Sequence, residues 1–99
     1  MTEAQIQRLA QKIRDKFNPD RILLFGSRAY GIPGKDSDID LLVIMRTTIS
    51  VREQAYLIRR ELESSEPIDV MVRTPEQIAE RIRLGDFFIK QIIEKGAAL

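Results

Sequence analysis

The chain contains neither cysteine nor histidine among its 99 residues. It therefore has no disulfide, no thiol nucleophile and no histidine acid–base catalyst, and the usual ligands of zinc are missing. A bound metal would have to be held by oxygen atoms, which favours Mg²⁺ or Mn²⁺.

The sequence also lacks an excess of charge of one sign and any long apolar run. Its 16 basic residues nearly balance 15 acidic ones, and the formal net charge is +1. Proteins that hold long DNA or RNA are usually basic, so we expect no long nucleic acid as a partner. No run approaches the roughly 18 apolar residues of a membrane span, and the N-terminus is polar. We expect a cytoplasmic protein with no membrane contact.

The length suits one compact domain over residues 1–99. Hydrophobic periodicity predicts strands at residues 21–25, 38–45 and 68–72, with helices before, between and after them. We therefore expect an α/β (α+β) fold, in which a small mixed sheet of three strands or slightly more is backed by helices.

Polar residues mark where several helices should begin. Thr2 and Thr74 are each followed three residues later by glutamine, the pattern of a capping box. The helix after Thr74 is expected to bury Ile78 and Ile82. A last helix should run to Gly96, and its apolar side chains either close the core, which we favour, or form a partner surface. These side chains are Phe87, Phe88, Ile92 and Ile93.

Acidic residues stand inside two of the predicted strands. Residues two apart in a strand point to the same side, so Asp38 and Asp40 should project their carboxylates together. Asp69, between Ile68 and Val70, would join them if the two strands are neighbours. Such close carboxylates repel each other unless cations offset their charge, and hard oxygen ligands suit Mg²⁺. The pattern predicts a three-carboxylate metal site, although loop or capping chemistry is the alternative for Asp38 and Asp40.

The same part of the sequence does not match two other motifs that bind metal or phosphate, the EF-hand loop and the P-loop. An EF-hand loop that began at Asp36 would need glycine and glutamate where Leu41 and Thr47 stand. A P-loop that ended at Gly34-Lys35 would need a first glycine where Ala29 stands. Neither motif is present.

Gly26 and Ser27 directly follow the first predicted strand. Glycine allows a sharp turn and a close approach to a ligand, and Ser27 could cap a short helix through Tyr30. Amide groups at such a helix start suit a phosphate, and Arg28 could add positive charge. An ordinary strand-to-helix turn is the alternative.

Together these residues resemble a known family. The segments GSRAYG and SDIDLLV resemble the Gly-Ser…Asp-x-Asp signature of the DNA polymerase beta-like nucleotidyltransferase superfamily. The chain looks most like the minimal nucleotidyltransferases of bacteria and archaea. The match is close from Leu23 to about Met45, and Asp69 stands where the family places its third carboxylate. The resemblance implies a nucleotidyltransferase fold.

The resemblance also implies roles for individual residues. Gly26 and Ser27 would bind the triphosphate of a nucleotide, and Asp38 and Asp40 would hold Mg²⁺. Asp69 would complete the metal site and help to activate the attacking hydroxyl. Many members of the family have arginine where this chain has Tyr30, so Arg28 would have to compensate or the phosphate contact would be weaker.

Minimal nucleotidyltransferases are typically encoded beside a helical HEPN (higher eukaryotes and prokaryotes nucleotide-binding) protein. The resemblance therefore implies an antitoxin that transfers AMP from ATP to a tyrosine of a HEPN-type toxin, in a hetero-oligomer with it. Two alternatives remain open at the level of sequence. The chain could be a non-catalytic subunit that inhibits its partner by binding, or it could transfer nucleotides to a small molecule or an RNA end.

Overall fold

The computed structural model describes residues 2–30, 38–64 and 66–99. The helices are α1 (Glu3–Phe17), α2 (Ser27–Tyr30), α3 (Val51–Leu62), α4 (Pro75–Arg83) and α5 (Phe87–Lys95). The strands are β1 (Arg21–Phe25), β2 (Ile39–Ile44), β3 (Ile68–Arg73) and β4 (Ala97–Ala98). The three predicted strands and the predicted order of elements are confirmed, and β4 is an addition.

The four strands form one mixed sheet in the order β3-β2-β1-β4. β1 runs antiparallel to β2 and to β4, whereas β2 and β3 are parallel. A parallel pair needs a crossover connection, and α3 supplies it between β2 and β3. The predicted α/β class, with a small mixed sheet backed by helices, is confirmed.

The side chains of the buried strands alternate between two helical layers. On one face Ile22 and Leu24 pack with apolar residues of α1 and α3. On the other face Leu23 and Phe25 pack with apolar residues of α4 and α5. Helices therefore cover both faces, which explains why β1 and β2 are apolar along most of their length.

The helix starts follow from local hydrogen bonds. Thr2 and Thr74 each form the complete predicted capping box with the glutamine three residues later. The Ser50 hydroxyl accepts a hydrogen bond from the Glu53 amide at the start of α3. α1 ends at Phe17, and its C-cap residue Asn18 has the left-handed conformation, which an asparagine tolerates well.

Three apolar side chains are more exposed than the sequence suggests. Ile82 of α4 is 41% exposed. In α5 the inward residues are Ile89 and Ile92. Phe87 lies about 200° around the helix from Ile89 and is 78% exposed, while Phe88 is 50% exposed. The predicted core role therefore holds for Ile92, and Ile93 is partly buried against the same cluster, but it does not hold for Phe87.

Strand β4 is too short for any alternation pattern to predict it. It pairs with Leu23 and Leu24 of β1 directly after Gly96. A Cβ atom on Gly96 would lie 3.1 Å from the Leu24 carbonyl oxygen and 2.5 Å from that of Ile92. Glycine thus permits the close approach that brings β4 to the sheet. None of the helices in the described ranges is long and apolar enough to cross a membrane.

Leu42→Ala tests the buried sheet, and Leu57→Ala is its matched control. Leu42 is fully buried in β2, whereas Leu57 of α3 is 40% exposed. We expect the loss of buried contacts at position 42 to lower the free energy of unfolding by about 2–5 kcal/mol in a urea titration. The change at position 57 should stay within about 0.5 kcal/mol. Equal effects at the two positions would contradict this packing.

Candidate active site

One row of side chains crosses three adjacent strands on the face that α4 and α5 cover. Phe25 of β1 is opposite Asp40 of β2, and Asp40 is beside Asp69 of β3. Asp40 shares the side of Leu42, which packs under α5. The parallel pairing of β2 and β3 therefore brings together two of the predicted carboxylates. The expectation that the strands carrying Asp40 and Asp69 are neighbours is confirmed.

The environment of Asp40 opposes its negative charge. The pKa of its carboxyl group is raised above the ordinary value of 3.8, and partial burial is the largest cause. The charges of Asp69 and Asp38 and a side-chain hydrogen bond with Asp69 raise the pKa further. No ion pair to these three aspartates is formed within the part of the chain described above. Among the described residues, the repulsion between these carboxylates is therefore not offset by an ion pair.

Asp38 lies just before β2 and is exposed. Its charge acts on Asp40, but within residues 2–30, 38–64 and 66–99 no three acidic side chains converge into a group that could hold an ion as they stand. Among the described residues, Asp40 and Asp69 form an adjacent pair with the Asp38 carboxylate nearby, and the three do not form a metal-binding cluster.

Gly26 of the Gly-Ser turn lies directly against Asp40. Gly26 has φ of +79°, and a Cβ atom at this position would overlap Oδ2 of Asp40. Its carbonyl oxygen accepts hydrogen bonds from the amides of Ala29 and Tyr30 in α2. Ser27 is the first residue of α2 rather than a residue before it. The backbone turn and the carboxylate of Asp40 therefore belong to one site.

Arg28 and Tyr30 belong to the short helix α2. Arg28 lines a cavity with Glu3, Gln7 and Leu99, to which the three aspartates do not contribute. Tyr30 ends α2 and is 36% exposed. The P-loop and EF-hand residues Gly34, Lys35 and Asp36 lie outside the described residues.

An aromatic pair beside the site was missed in the sequence. The rings of Phe25 and Phe88 meet edge to face, with centroids 5.7 Å apart and planes 82° apart. Because Phe25 is opposite Asp40, this pair flanks the acidic residues on the side away from Asp69. The position of Phe25 directly before Gly26 indicated that it would lie near the site. Its contact with Phe88 of α5 could be recognised only from the tertiary fold.

The fold is that of a nucleotidyltransferase. The chain is similar to a solved structure of a candidate nucleotidyltransferase from Sulfolobus solfataricus, with a TM-score of 0.65 and 19% sequence identity. The match covers 96% of this chain and 76% of that one. At this level of identity the likeness establishes the shared fold.

The family follows from the sequence match to its model. Residues 6–99 match the family model of the nucleotidyltransferase domain, and the chain therefore belongs to that family. No curated protein matches the chain. Nucleotidyl transfer is accordingly the general activity that the domain supports, and the protein is classed as a transferase.

Gly26→Ala tests the contact between the turn and Asp40. Gly85 offers a matched control, because its φ is +80° and no atom lies within 4 Å of the position of an added Cβ. Alanine strains the backbone at both positions, but only at Gly26 does it also displace a carboxylate. We expect Gly26→Ala to be the more destabilising change by about 1 kcal/mol or more in urea unfolding.

A double variant identifies the cause of that difference. Gly26→Ala combined with Asp40→Ala removes the overlapping oxygen, so the excess loss should disappear. An excess that survives in the double variant would contradict the proposed overlap.

Asp40→Asn tests the electrostatic cost of the site. Because the folded-state pKa of Asp40 is raised, its protonated form stabilises the fold below pH 3.8, and this contribution is lost as the pH rises through the folded pKa. Asp40→Asn should therefore gain stability relative to the wild type between pH 3 and pH 7. Thermal unfolding in buffer with EDTA measures the gain.

The control for this comparison is Asp20→Asn, because Asp20 is exposed and its amide bonds to Ile44 at the opposite end of β2. Its stability relative to the wild type should not follow the same pH course. A stability difference for Asp40→Asn that is independent of pH would contradict the assignment.

Proposed function

We propose that this protein is a Mg²⁺-dependent nucleotidyltransferase of the minimal type, acting in the cytoplasm. It transfers AMP from ATP to a hydroxyl group, that of a tyrosine, on a HEPN-type toxin and so acts as its antitoxin. One observation carries the proposal: Asp40 contacts the Gly26 turn on one side and lies beside Asp69 on the other. The turn proposed to bind phosphate and the carboxylates proposed to hold Mg²⁺ are thus in contact.

The donor set fits Mg²⁺ in its chemistry. Asp38, Asp40 and Asp69 offer only carboxylate oxygens. Partial burial, and then the charges of Asp69 and Asp38, raise the pKa of Asp40, and a bound cation would offset both effects. Bound Mg²⁺ would neutralise charge on the triphosphate and on the leaving group. In the proposal Asp38 and Asp40 are its main ligands, and Gly26 and Ser27 hold the phosphates through backbone amides and a hydroxyl.

The proposed reaction is an in-line displacement at the α-phosphorus of ATP. The acceptor oxygen forms a bond to this phosphorus, the bond from phosphorus to the bridging oxygen breaks, and pyrophosphate leaves. The proton of the acceptor hydroxyl passes to the Asp69 carboxylate, which is exposed and therefore open to a second substrate. The more buried Asp40 stays between the turn and Asp69 and positions the donor.

A second function is favoured by a different observation. Because no three acidic groups converge among the described residues, the chain could instead bind and inhibit its partner without catalysis. In that case neutralisation of the toxin would survive the loss of the carboxylates, whereas catalysis requires them.

The deciding experiment uses ATP labelled at the α-phosphate, MgCl₂ and the HEPN-type protein encoded beside this one. We expect label on the partner, at least about 100-fold less of it with Asp38→Asn or Asp40→Asn, and wild-type labelling with the control Asp20→Asn. No label, or equal labelling by the aspartate variants, would contradict the proposal. If the aspartate variants fail to label the toxin but still neutralise it, the binding function is established.

A further inference from the structure

We infer that the protein acceptor docks as an added strand on the outer edge of β3, with its hydroxyl residue opposite Asp69 and an acidic residue opposite Arg73. This inference rests on the proposed function and names the form in which the acceptor is recognised. It starts from the position of Asp69, which lies in an edge strand of the described sheet rather than in a central one.

Hydrogen bonds show which backbone groups of β3 face outward. The Ile39 amide donates to the Pro67 carbonyl, and the Met45 amide donates to the Arg73 carbonyl. In a parallel ladder alternate residues direct both backbone groups to the same neighbour. Asp69 and Met71 therefore bond to β2 as well, while the amides and carbonyls of residues 68, 70 and 72 point away from the sheet.

Among the described residues, a groove runs along residues 70–73 of this edge, between the two helical layers. The groove is lined by Val70 to Arg73, by the first turn of α3 and by Gln77 of α4. The charged side chains among its lining residues are Arg52 and Arg73, both basic. Arg73 Nη1 donates a 2.7 Å hydrogen bond to the outward carbonyl of Val72. An added strand would supply an amide to this carbonyl and release the guanidinium for an acidic side chain.

Strand geometry then sets the spacing of the recognised groups. Asp69, Met71 and Arg73 project to the same face, and a neighbouring strand lies about 4.8 Å away. A residue opposite Asp69 and a residue opposite Arg73 are therefore four apart in the docked segment. The edge fits an extended segment that has a hydroxyl residue and, four positions away, a glutamate or aspartate.

A second copy of this chain fits the edge less well. Antiparallel pairing of two β3 strands would set Asp69 against Arg73 of the other copy. However, α3 packs over β3. In such a dimer the axes of the two α3 helices would therefore be little farther apart than two neighbouring strands, which are about 4.8 Å apart. Packed helices need 8–10 Å between their axes. An extended segment without its own helical layer avoids this overlap.

Synthetic peptides test the predicted spacing. One peptide carries a single tyrosine with glutamate at both positions four residues away, so that either strand direction is covered. Matched peptides have lysine at these positions, or the glutamates three residues away and hence on the other face. With labelled ATP and Mg²⁺, we expect the first peptide to be labelled at least about tenfold faster than either control. Equal labelling of the three peptides would overturn the inference.

Two protein variants test the two contacts. Arg73→Glu should exchange the preference, so that the lysine peptide becomes the better acceptor. Val70→Pro removes an outward amide while leaving the ladder to β2 intact, and it should lower peptide labelling at least about tenfold without changing Mg²⁺-dependent ATP binding. An Arg73→Glu variant that keeps the preference for glutamate would overturn the inference even if Val70→Pro failed to fold.

The outcomes separate this inference from the proposed function. If Mg²⁺-dependent ATP binding is absent, both fail. If the partner protein is labelled but the preference among peptides is absent, only docking on β3 fails. Sedimentation that shows a dimer of the wild type, dissociated by Val70→Pro, would assign the edge to a second copy and overturn the docking of an acceptor.

Discussion

Repulsion among carboxylates at one end of the sheet is the constraint on which the candidate site depends. Asp40 lies beside Asp69 because β2 and β3 are parallel and in register, and Gly26 leaves room for the Asp40 carboxylate because it has no side chain. The crossover helix α3 and the tight turn before α2 both serve this arrangement. A fold that only needed stability would place apolar residues at these positions, as it does in the rest of β2.

The fold could be predicted where the pattern is local. Apolar runs identified β1 and β2, alternation identified β3, and the capping residues Thr2 and Thr74 marked helix starts to the residue. Strand β4 and the exposure of Phe87 could not be predicted in this way. The former depends on a two-residue pairing with a distant strand, and the latter on which side of α5 meets the sheet.

The arrangement of the candidate residues was predictable to a similar extent. Strand spacing and the family signature led to Asp40 and Asp69, and the structure makes them neighbours. The contact between Gly26 and Asp40 could not be predicted from the sequence. The two residues are fourteen positions apart, and they meet only because β1 and β2 pair in an antiparallel arrangement. Arg28 lines a cavity beside α1, and its predicted contact with phosphate stays a prediction.

The left-handed glycine before α2 has a consequence for the evolution and engineering of this domain. Natural domains carry locally unfavourable features chiefly where function requires them, and here Gly26 and Asp40 form two such features in direct contact. Selection for heat resistance alone would favour replacing the charged group with a neutral one, since most proteins can gain stability at such positions. A library screened only for folding would therefore accumulate robust molecules that have lost their chemistry, and a useful screen must reward turnover at the same time.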